Sequence, residues 1–174
     1  MDWLTDEIRN KQYQYQGPGN IFAARLNGTS DIKWESVECQ GFSNIFEVFP
    51  DVTFYDYTKI PGRKIDHIKN YSLTFSFTGR NILDALQVLE NQGNVAIVFN
   101  TLKNSELPIS WKGYTVIDGD VTDYRPGDCK GCVVGLRFKH TDNETVNKAA
   151  IISPFIVDPK SPDCQHVNGP ALPF

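Results

Sequence analysis

The chain has 174 residues, of which 40% are hydrophobic, and its formal net charge is −4. This length gives one domain with a substantial core and leaves little room for a second. The negative charge argues against a general nucleic-acid coat protein, because non-specific binding to nucleic acid depends on many Lys and Arg side chains. The sequence shows neither a signal-peptide pattern nor an apolar run of the about 20 residues that a membrane helix needs, so we expect a cytoplasmic protein.

Short apolar segments alternate with helical patterns along the chain, and this alternation predicts an α/β fold with a mainly parallel sheet of about six strands. Apolar residues at helical spacing predict helices at 2–12 and 81–91, and Ser43 is a candidate N-cap for a short helix that ends before Pro50. The segment 95–99 is wholly apolar, which is typical of a strand buried on both faces. The predicted strands are 21–26, 52–55, 71–77, 95–99, 115–117 and 132–138. We expect 132–138 to be the last strand of the sheet.

The composition changes from Ile151 onward. Prolines at 154, 159, 162, 170 and 173 disfavour regular structure in this segment. We therefore predict a single α/β domain over residues 1–150 and an extended proline-rich tail over residues 151–174.

Polar clusters follow several of the predicted strands. The carboxyl ends of parallel strands are where α/β sheets bind ligands, so we expect these side chains to form a binding edge. The alternative is turn chemistry, in which each polar side chain bonds its own backbone. This strand-end rim consists of Asn27, Ser30, Asp31, Asp56, Lys59, Ser76, Asp118 and Asp120.

A second cluster is basic. The segment 59–69, here called the basic loop, contains Lys59, Arg63 and Lys64, and Arg80 precedes the predicted helix at 81–91. Cations beside a helix N-terminus favour phosphate, and nearby tyrosines could stack on bases. The alternative is an ordinary solvated surface.

An acidic cluster and a set of soft ligands are the candidate metal sites. Oxygen ligands from Asp118, Asp120, Asp123 and Asp128 suit Mg²⁺ or Ca²⁺, although their spacing is not that of an EF-hand and a solvated loop is the alternative. Two short-spaced pairs could close a structural zinc site, and free thiols are the alternative. These pairs are Cys129 with Cys132 and Cys164 with His166.

Common catalytic signatures are absent. The sequence has no Gly-x-Ser-x-Gly elbow, no Walker-type phosphate loop and no dinucleotide fingerprint. The sequence therefore predicts no particular reaction, and whether the protein is an enzyme stays open at this point.

Five blocks of sequence, taken in order, form a distinctive pattern: 25–35, 49–52, 54–59, 70–76 and 116–120. With these blocks the chain resembles a family of uncharacterised phage and prophage proteins. The likeness extends from about the first helix to about Lys139. The resemblance implies a relation to radical-SAM-like barrels, of which these residues form the C-terminal half without the cysteine cluster, so iron–sulfur chemistry is not carried over. It also implies a half-barrel whose open edges are covered by self-association or by a partner protein. The expected location is the cytoplasm of a host cell.

The leading functional hypothesis is a domain that binds a phosphate-bearing ligand, either a nucleotide or nucleic acid, at the C-terminal edge of its sheet. Lys59, Arg63, Lys64 and Arg80 would contact phosphate, with Asn27, Asp31 and Asp56 orienting the ligand beside Asp118 and Asp120. One alternative is a non-catalytic protein–protein interaction module, for example a phage inhibitor of a host factor. Another is half of an enzyme that a second chain completes.

Overall fold

The structure is a computed structural model that describes residues 2–15 and 17–166. The chain divides into two compact units. The first comprises residues 1–73 with 124–126, and the second comprises residues 74–123 with 127–174. The described residues form a mixed α/β fold with nine strands, mostly parallel, and four α-helices.

In the first unit, helices and β-strands alternate along the chain, beginning with a long helix. Strand β1 runs parallel to β2, with Ala23 opposite Thr53, and β2 is followed in the strand order by β3. The side chain of Asn44, rather than that of Ser43, caps the short helix α2 by accepting from two backbone N–H groups. The elements are α1 (Asp2–Tyr15), β1 (Ala23–Ala24), a 3₁₀ turn (Trp34–Ser36), α2 (Ile45–Val48), β2 (Thr53–Thr58) and the first half of β3 (Tyr71–Ser76).

Aromatic side chains dominate the core of the first unit. The ring of Phe46 stacks on Tyr71 with centroids 4.1 Å apart and meets Phe54 edge-on at 5.1 Å. Strand β2 alternates strictly, so that Phe54, Asp56 and Thr58 share its buried face. A carboxylate therefore enters an aromatic core.

The second unit is built around β4. Its neighbours in order are β3-β4-β7-β6-β5-β9, with β8 pairing β4 as well, and the described strands of neither unit close into a barrel. All these pairings are parallel except those of β5 with β6 and with β9. The elements are the second half of β3, α3 (Ile82–Glu90), β4 (Asn94–Phe99), β5 (Ser110–Trp111), β6 (Tyr114–Asp118), β7 (Val133–Arg137), α4 (Glu144–Ile151), β8 (Ile156–Val157) and β9 (Cys164–Gln165).

The central elements of the second unit match the sequence pattern. Strand β4 has neighbours on both sides and its apolar residues are mostly buried, as the run at 95–99 predicts. Helix α3 buries Ala85 and Leu89 one turn apart, and it ends where the Gly93 N–H donates to the Val88 carbonyl.

Three predictions about the sheet need correction. The described strands number nine rather than six, and β7 lies between β4 and β6 instead of at the end of the order. Residues 151–166 are not an extended arm, because β8 and β9 join the second unit there. Pro154, Pro159 and Pro162 lie in turns outside the strands, where a missing N–H costs no ladder hydrogen bond. The rest of the predicted tail, residues 167–174, lies outside the described residues.

Among the helices of the described residues, none combines the length and the apolar character required to cross a bilayer.

Candidate functional site

Arg63 is the centre of a buried ion-pair network in the first unit. Its Nε donates to Glu35 Oε1 at 2.8 Å, its Nη1 to Asp31 Oδ1 at 3.3 Å and its Nη2 to Tyr71 Oη at 3.1 Å. The Nη2 group also donates to the second oxygen of Glu35, so this pair is bidentate. The Arg63 side chain is only 2% exposed. Its guanidinium therefore faces protein carboxylates and not solvent, and a phosphate contact of Arg63 stays a prediction.

Asp56 and Asn27 extend this network into the core. Asp56 is fully buried and accepts from the Asn27 backbone N–H at 2.7 Å, from Asn27 Nδ2 at 3.2 Å and from Tyr71 Oη at 3.1 Å. The side-chain oxygen Oδ1 of Asn27 in turn accepts from Trp34 Nε1 at 3.1 Å and from Ser30 Oγ at 2.9 Å. Buried polar groups are tolerated when each has partners, as these do. The structure thus brings these rim residues together as a scaffold.

Asp31 links the network to the start of the basic loop. Its Oδ1 accepts from Thr58 Oγ1 at 2.7 Å, and its Oδ2 accepts from the backbone N–H of Lys59 at 2.6 Å. Because Arg63 also reaches Asp31, one carboxylate holds the end of β2 and the middle of the loop.

Burial and charge shift the pKa values of the network in opposite directions. Burial raises the pKa of Asp56, against the hydrogen bonds from Asn27 and Tyr71, and burial together with the Asp56 carboxylate raises the pKa of Tyr71. For Glu35, burial acts upward, but the hydrogen bonds and charge of Arg63 outweigh it and hold the pKa below its usual value. The ion pair of Glu35 with Arg63 is therefore charged at neutral pH.

The lowered pKa of Glu35 predicts an acid-sensitive stability. A carboxyl whose pKa is lower in the folded than in the unfolded chain stabilises the fold above its unfolded pKa, here 4.5, and this contribution is lost as pH falls through the folded value. Asp56 has the opposite sign, since its raised pKa adds stability only at low pH, which is lost as pH rises through the folded value. We expect Glu35→Gln to be less stable than the native chain at pH 7 but to lose less on acidification.

Urea unfolding at a series of pH values from about 3 to 7 measures this difference. The native chain and Glu35→Gln should converge as pH falls below about 4.5, where the native carboxylate becomes protonated. Curves that stay parallel across this range would contradict the assignment of Glu35 as the ionised partner of Arg63.

The lysines of the basic loop have a different environment from Arg63. Lys59, Lys64 and Lys69 are exposed, and within the described part of the chain none has a carboxylate at ion-pair distance. Gly62 adopts a φ of 66°, which gives the loop its turn. The loop therefore has three exposed lysines, whereas the side chain of its one arginine is buried against carboxylates.

In the second unit, the predicted site residues Asp118 and Asp120 form a cluster with Arg137. The Arg137 guanidinium donates to both oxygens of Asp118, at 2.8 and 2.9 Å, and to Asp120 Oδ2 at 3.1 Å. The hydrogen bond from Arg137 is the main reason that the pKa of Asp118 lies below its usual value. Arg80 is exposed just ahead of α3, and Ser76 accepts with its backbone carbonyl from Asn81. The two carboxylates are engaged by arginine, which leaves the cation prediction for Asp118, Asp120, Asp123 and Asp128 without a preformed oxygen cage.

The four side chains predicted as zinc ligands do not come together. Cys132 is buried and its Sγ donates to the Cys129 carbonyl at 2.9 Å, whereas His166 Nε2 lies 2.9 Å from the Pro159 carbonyl. Cys164 contacts Ser161 Oγ and the Asp158 carbonyl. No group of three or more His, Cys, Asp or Glu side chains suited to a metal ion occurs in residues 2–15 and 17–166. All four cysteines, Cys39 included, are free thiols.

Comparison with known families gives one decisive match. The family model described as gene product 88 matches residues 1–154, which is most of the chain. The chain belongs to the gene product 88 family. This is a phage protein family, as the order of the sequence blocks predicts. The comparisons with curated proteins and with solved structures gave no significant match for this gene product 88 chain.

Sequence reasoning missed two sets of residues in this gene product 88 protein. Glu35 and Tyr71 complete the Arg63 network, and the strand alternation that puts Asp56 beside Phe54 was a usable signal for it. The second set consists of Asn100, Asp158 and Lys160, which follow strands β4 and β8 in the second unit. The proline-rich composition there gives no sign of a strand end. The family match ends at residue 154, before most of that second set.

Proposed function

We propose that the protein binds a phosphate-bearing ligand, a nucleotide or nucleic acid, through the exposed lysines of the basic loop. The observation that supports this most is the contrast between the buried Arg63 and the exposed lysines on either side of it. Arg63 neutralises the carboxylates of Asp31 and Glu35. The ammonium groups of Lys59, Lys64 and Lys69 therefore remain available to a ligand.

Preorganisation is the physical reason for this proposal. A flexible loop pays conformational entropy when it closes on a ligand, and a loop already fixed by internal hydrogen bonds pays less. Asp31 holds the Lys59 backbone and Arg63 at the same time. The lysines are therefore presented from a loop that Asp31 holds at two points, the Lys59 backbone and the Arg63 side chain.

Aromatic residues next to the loop favour a ligand with bases. Tyr55 and Tyr57 lie on the half-buried face of β2, opposite to the core face. The Arg25 guanidinium lies 4.8 Å from the centroid of the Tyr57 ring, and the rings of Tyr55 and Tyr124 meet edge-on at 6.2 Å. Bases stack on such rings with little dependence on sequence, while cations track the phosphates. This combination suits a single strand or a nucleotide better than a duplex.

A triple variant tests the proposal. Replacing Lys59, Lys64 and Lys69 with Gln should weaken binding of a fluorescein-labelled oligothymidylate by about tenfold or more, because each neutralised phosphate contact is lost. The measurement is fluorescence anisotropy at low salt, with ATP as a competing nucleotide. The matched control replaces Lys103, Lys130 and Lys139, which are exposed lysines of the second unit, with Gln. Equal affinity of the two triple variants would contradict the proposal, and so would no binding of either probe to the native chain.

The proposed site draws on residues of the first unit alone, and Arg80, Asp118 and Asp120 are not among them. They belong to the second unit, and a role for them in ligand binding stays a prediction. The relation to radical-SAM-like barrels and the cytoplasmic location stay predictions as well.

An interaction module is the second candidate, and open sheet edges favour it. In the first unit β1 has a parallel partner in β2 and ends the strand order, and Ile21, two residues before β1, is 71% exposed. Unpaired edges are usually covered or used for pairing with another chain. Native mass spectrometry of the purified chain would show a dimer or a bound host protein if the edge is used, and a bare monomer would count against this candidate and against completion by another chain.

A further inference from the structure

A cavity of about 410 Å³ lies in the second unit. Its lining consists of Asn100, Ile151, Ile156, Asp158, Pro159 and Lys160. A cavity of this size is within the range that holds small-molecule ligands in proteins, about 300–1,000 Å³.

The sheet places this cavity at the carboxyl ends of two paired strands. Phe99, the last residue of β4, is opposite Val157, the last residue of the parallel strand β8. Asn100 and Asp158 therefore leave the sheet side by side, and the Asn100 N–H donates to the Val157 carbonyl at 2.9 Å. Parallel α/β sheets bind ligands at this end of their strands.

Three polar groups of the cavity lining have spare hydrogen-bonding capacity. Asp158 uses Oδ1 to accept from the Lys160 backbone N–H at 2.9 Å, and its other oxygen has no partner in the described part of the chain. The Asn100 amide and the Lys160 ammonium likewise make no side-chain hydrogen bond or ion pair to any described residue. The remaining lining, from Ile151, Ile156 and Pro159, is apolar.

We infer that this cavity binds a zwitterionic α-amino acid with an aliphatic side chain. The Asp158 carboxylate takes the ligand ammonium, the Lys160 ammonium takes the ligand carboxylate, and Asn100 can donate to or accept from either group. The three apolar residues pack on the side chain of the ligand. The inference is independent of the phosphate site proposed for the basic loop, because the residues of the two sites belong to different units.

Charge complementarity favours a zwitterion over an anion or a cation. A phosphate or a simple carboxylate would satisfy Lys160 but would place a like charge beside Asp158, and juxtaposed like charges disfavour binding. A simple amine would satisfy Asp158 but would place a like charge beside Lys160. Only a ligand with both charges satisfies both side chains at once.

Isothermal titration calorimetry of the full chain tests the inference, with L-leucine, L-isoleucine, L-valine and L-methionine each titrated separately. At least one of them should bind with one site per chain. L-leucinamide, which lacks the carboxylate, and 4-methylpentanoate, which lacks the ammonium, should bind about tenfold more weakly than L-leucine, because each loses a charge-assisted hydrogen bond. No binding of any of the four amino acids would overturn the inference, and so would analogues that bind as tightly as L-leucine.

Two variants with matched controls locate the site. Asp158→Asn keeps an oxygen for the Lys160 N–H but loses the charge, and Lys160→Met keeps the length of the side chain, so each should lower amino-acid affinity by about tenfold or more. Asp123→Asn and Lys103→Met change exposed residues outside the cavity and should leave affinity unchanged. Circular dichroism confirms that each variant is folded. Native affinity in both Asp158→Asn and Lys160→Met would overturn the assignment of the cavity.

Discussion

Replacing Arg63 with Met is expected to lower the free energy of unfolding by about 3–5 kcal/mol, because it leaves buried carboxylates without a counter-charge. Glu35 is 9% exposed at its side chain and Asp31 is 26% exposed, so water cannot fully replace the guanidinium. Tyr71 Oη loses a donor as well. Urea unfolding followed by far-UV circular dichroism measures the change.

Lys64→Met is the matched control, since Lys64 is the exposed neighbour of Arg63 and should change stability by less than about 0.5 kcal/mol. The double variant Glu35→Met with Arg63→Met should be less destabilised than the sum of the two single variants, because it leaves fewer unpaired charges. Hydrogen exchange should quicken in peptides that cover β2 and the basic loop. An Arg63→Met variant as stable as Lys64→Met would show that the network does not hold this unit.

Gly79→Ala is expected to destabilise the second unit by about 2–5 kcal/mol, with contributions from the backbone and from packing. Gly79 has a φ of 80°, a left-handed conformation that costs other residues about 1–2 kcal/mol. A Cβ at this position would also lie 2.0 Å from the Pro154 carbonyl oxygen, and backbone atoms cannot move away as a flexible side chain can. Thermal or urea unfolding of the purified variant measures the loss.

Gly113→Ala separates the two contributions. Gly113 belongs to the same unit and has a similar φ of 84°, but no atom lies within 4 Å of a Cβ built there. It should therefore cost only the backbone part, about 1–2 kcal/mol. If Gly79→Ala and Gly113→Ala prove equally stable, Pro154 does not pack against residue 79 as the structure has it.

The central elements of the fold could be predicted because their patterns are long and consistent. Strand β4 has five consecutive apolar residues, and α3 repeats its buried positions at helical spacing. Strands β8 and β9 have two residues each, which is too short to show the alternation of buried and exposed residues that marks a strand. The prolines in this segment favour an irregular tail instead. Their pairing with distant strands, which sequence spacing does not reveal, decides their structure.

The sequence pattern predicts that several polar residues of the first unit lie near one another, but it does not predict which of them are buried. The expectation that Asn27, Asp31 and Asp56 would lie together after neighbouring parallel strands agrees with the geometry. Their burial was not expected, although the alternation of β2 puts Asp56 on the face of Phe54. Arg63 and Lys64 are adjacent cations with opposite environments, because the carboxylate that holds Arg63 comes from Glu35, 28 residues earlier.

The most direct test of the account is the salt dependence of oligothymidylate binding by the native chain and by the variant with Lys59, Lys64 and Lys69 changed to Gln. Each phosphate neutralised on a single strand contributes about −0.7 to the slope of log affinity against log salt concentration, so three lysines predict a slope of about −2 for the native chain. The variant should show a slope close to zero and weaker binding at low salt. A native slope near zero, or the same slope in both proteins, would contradict a phosphate site on the basic loop.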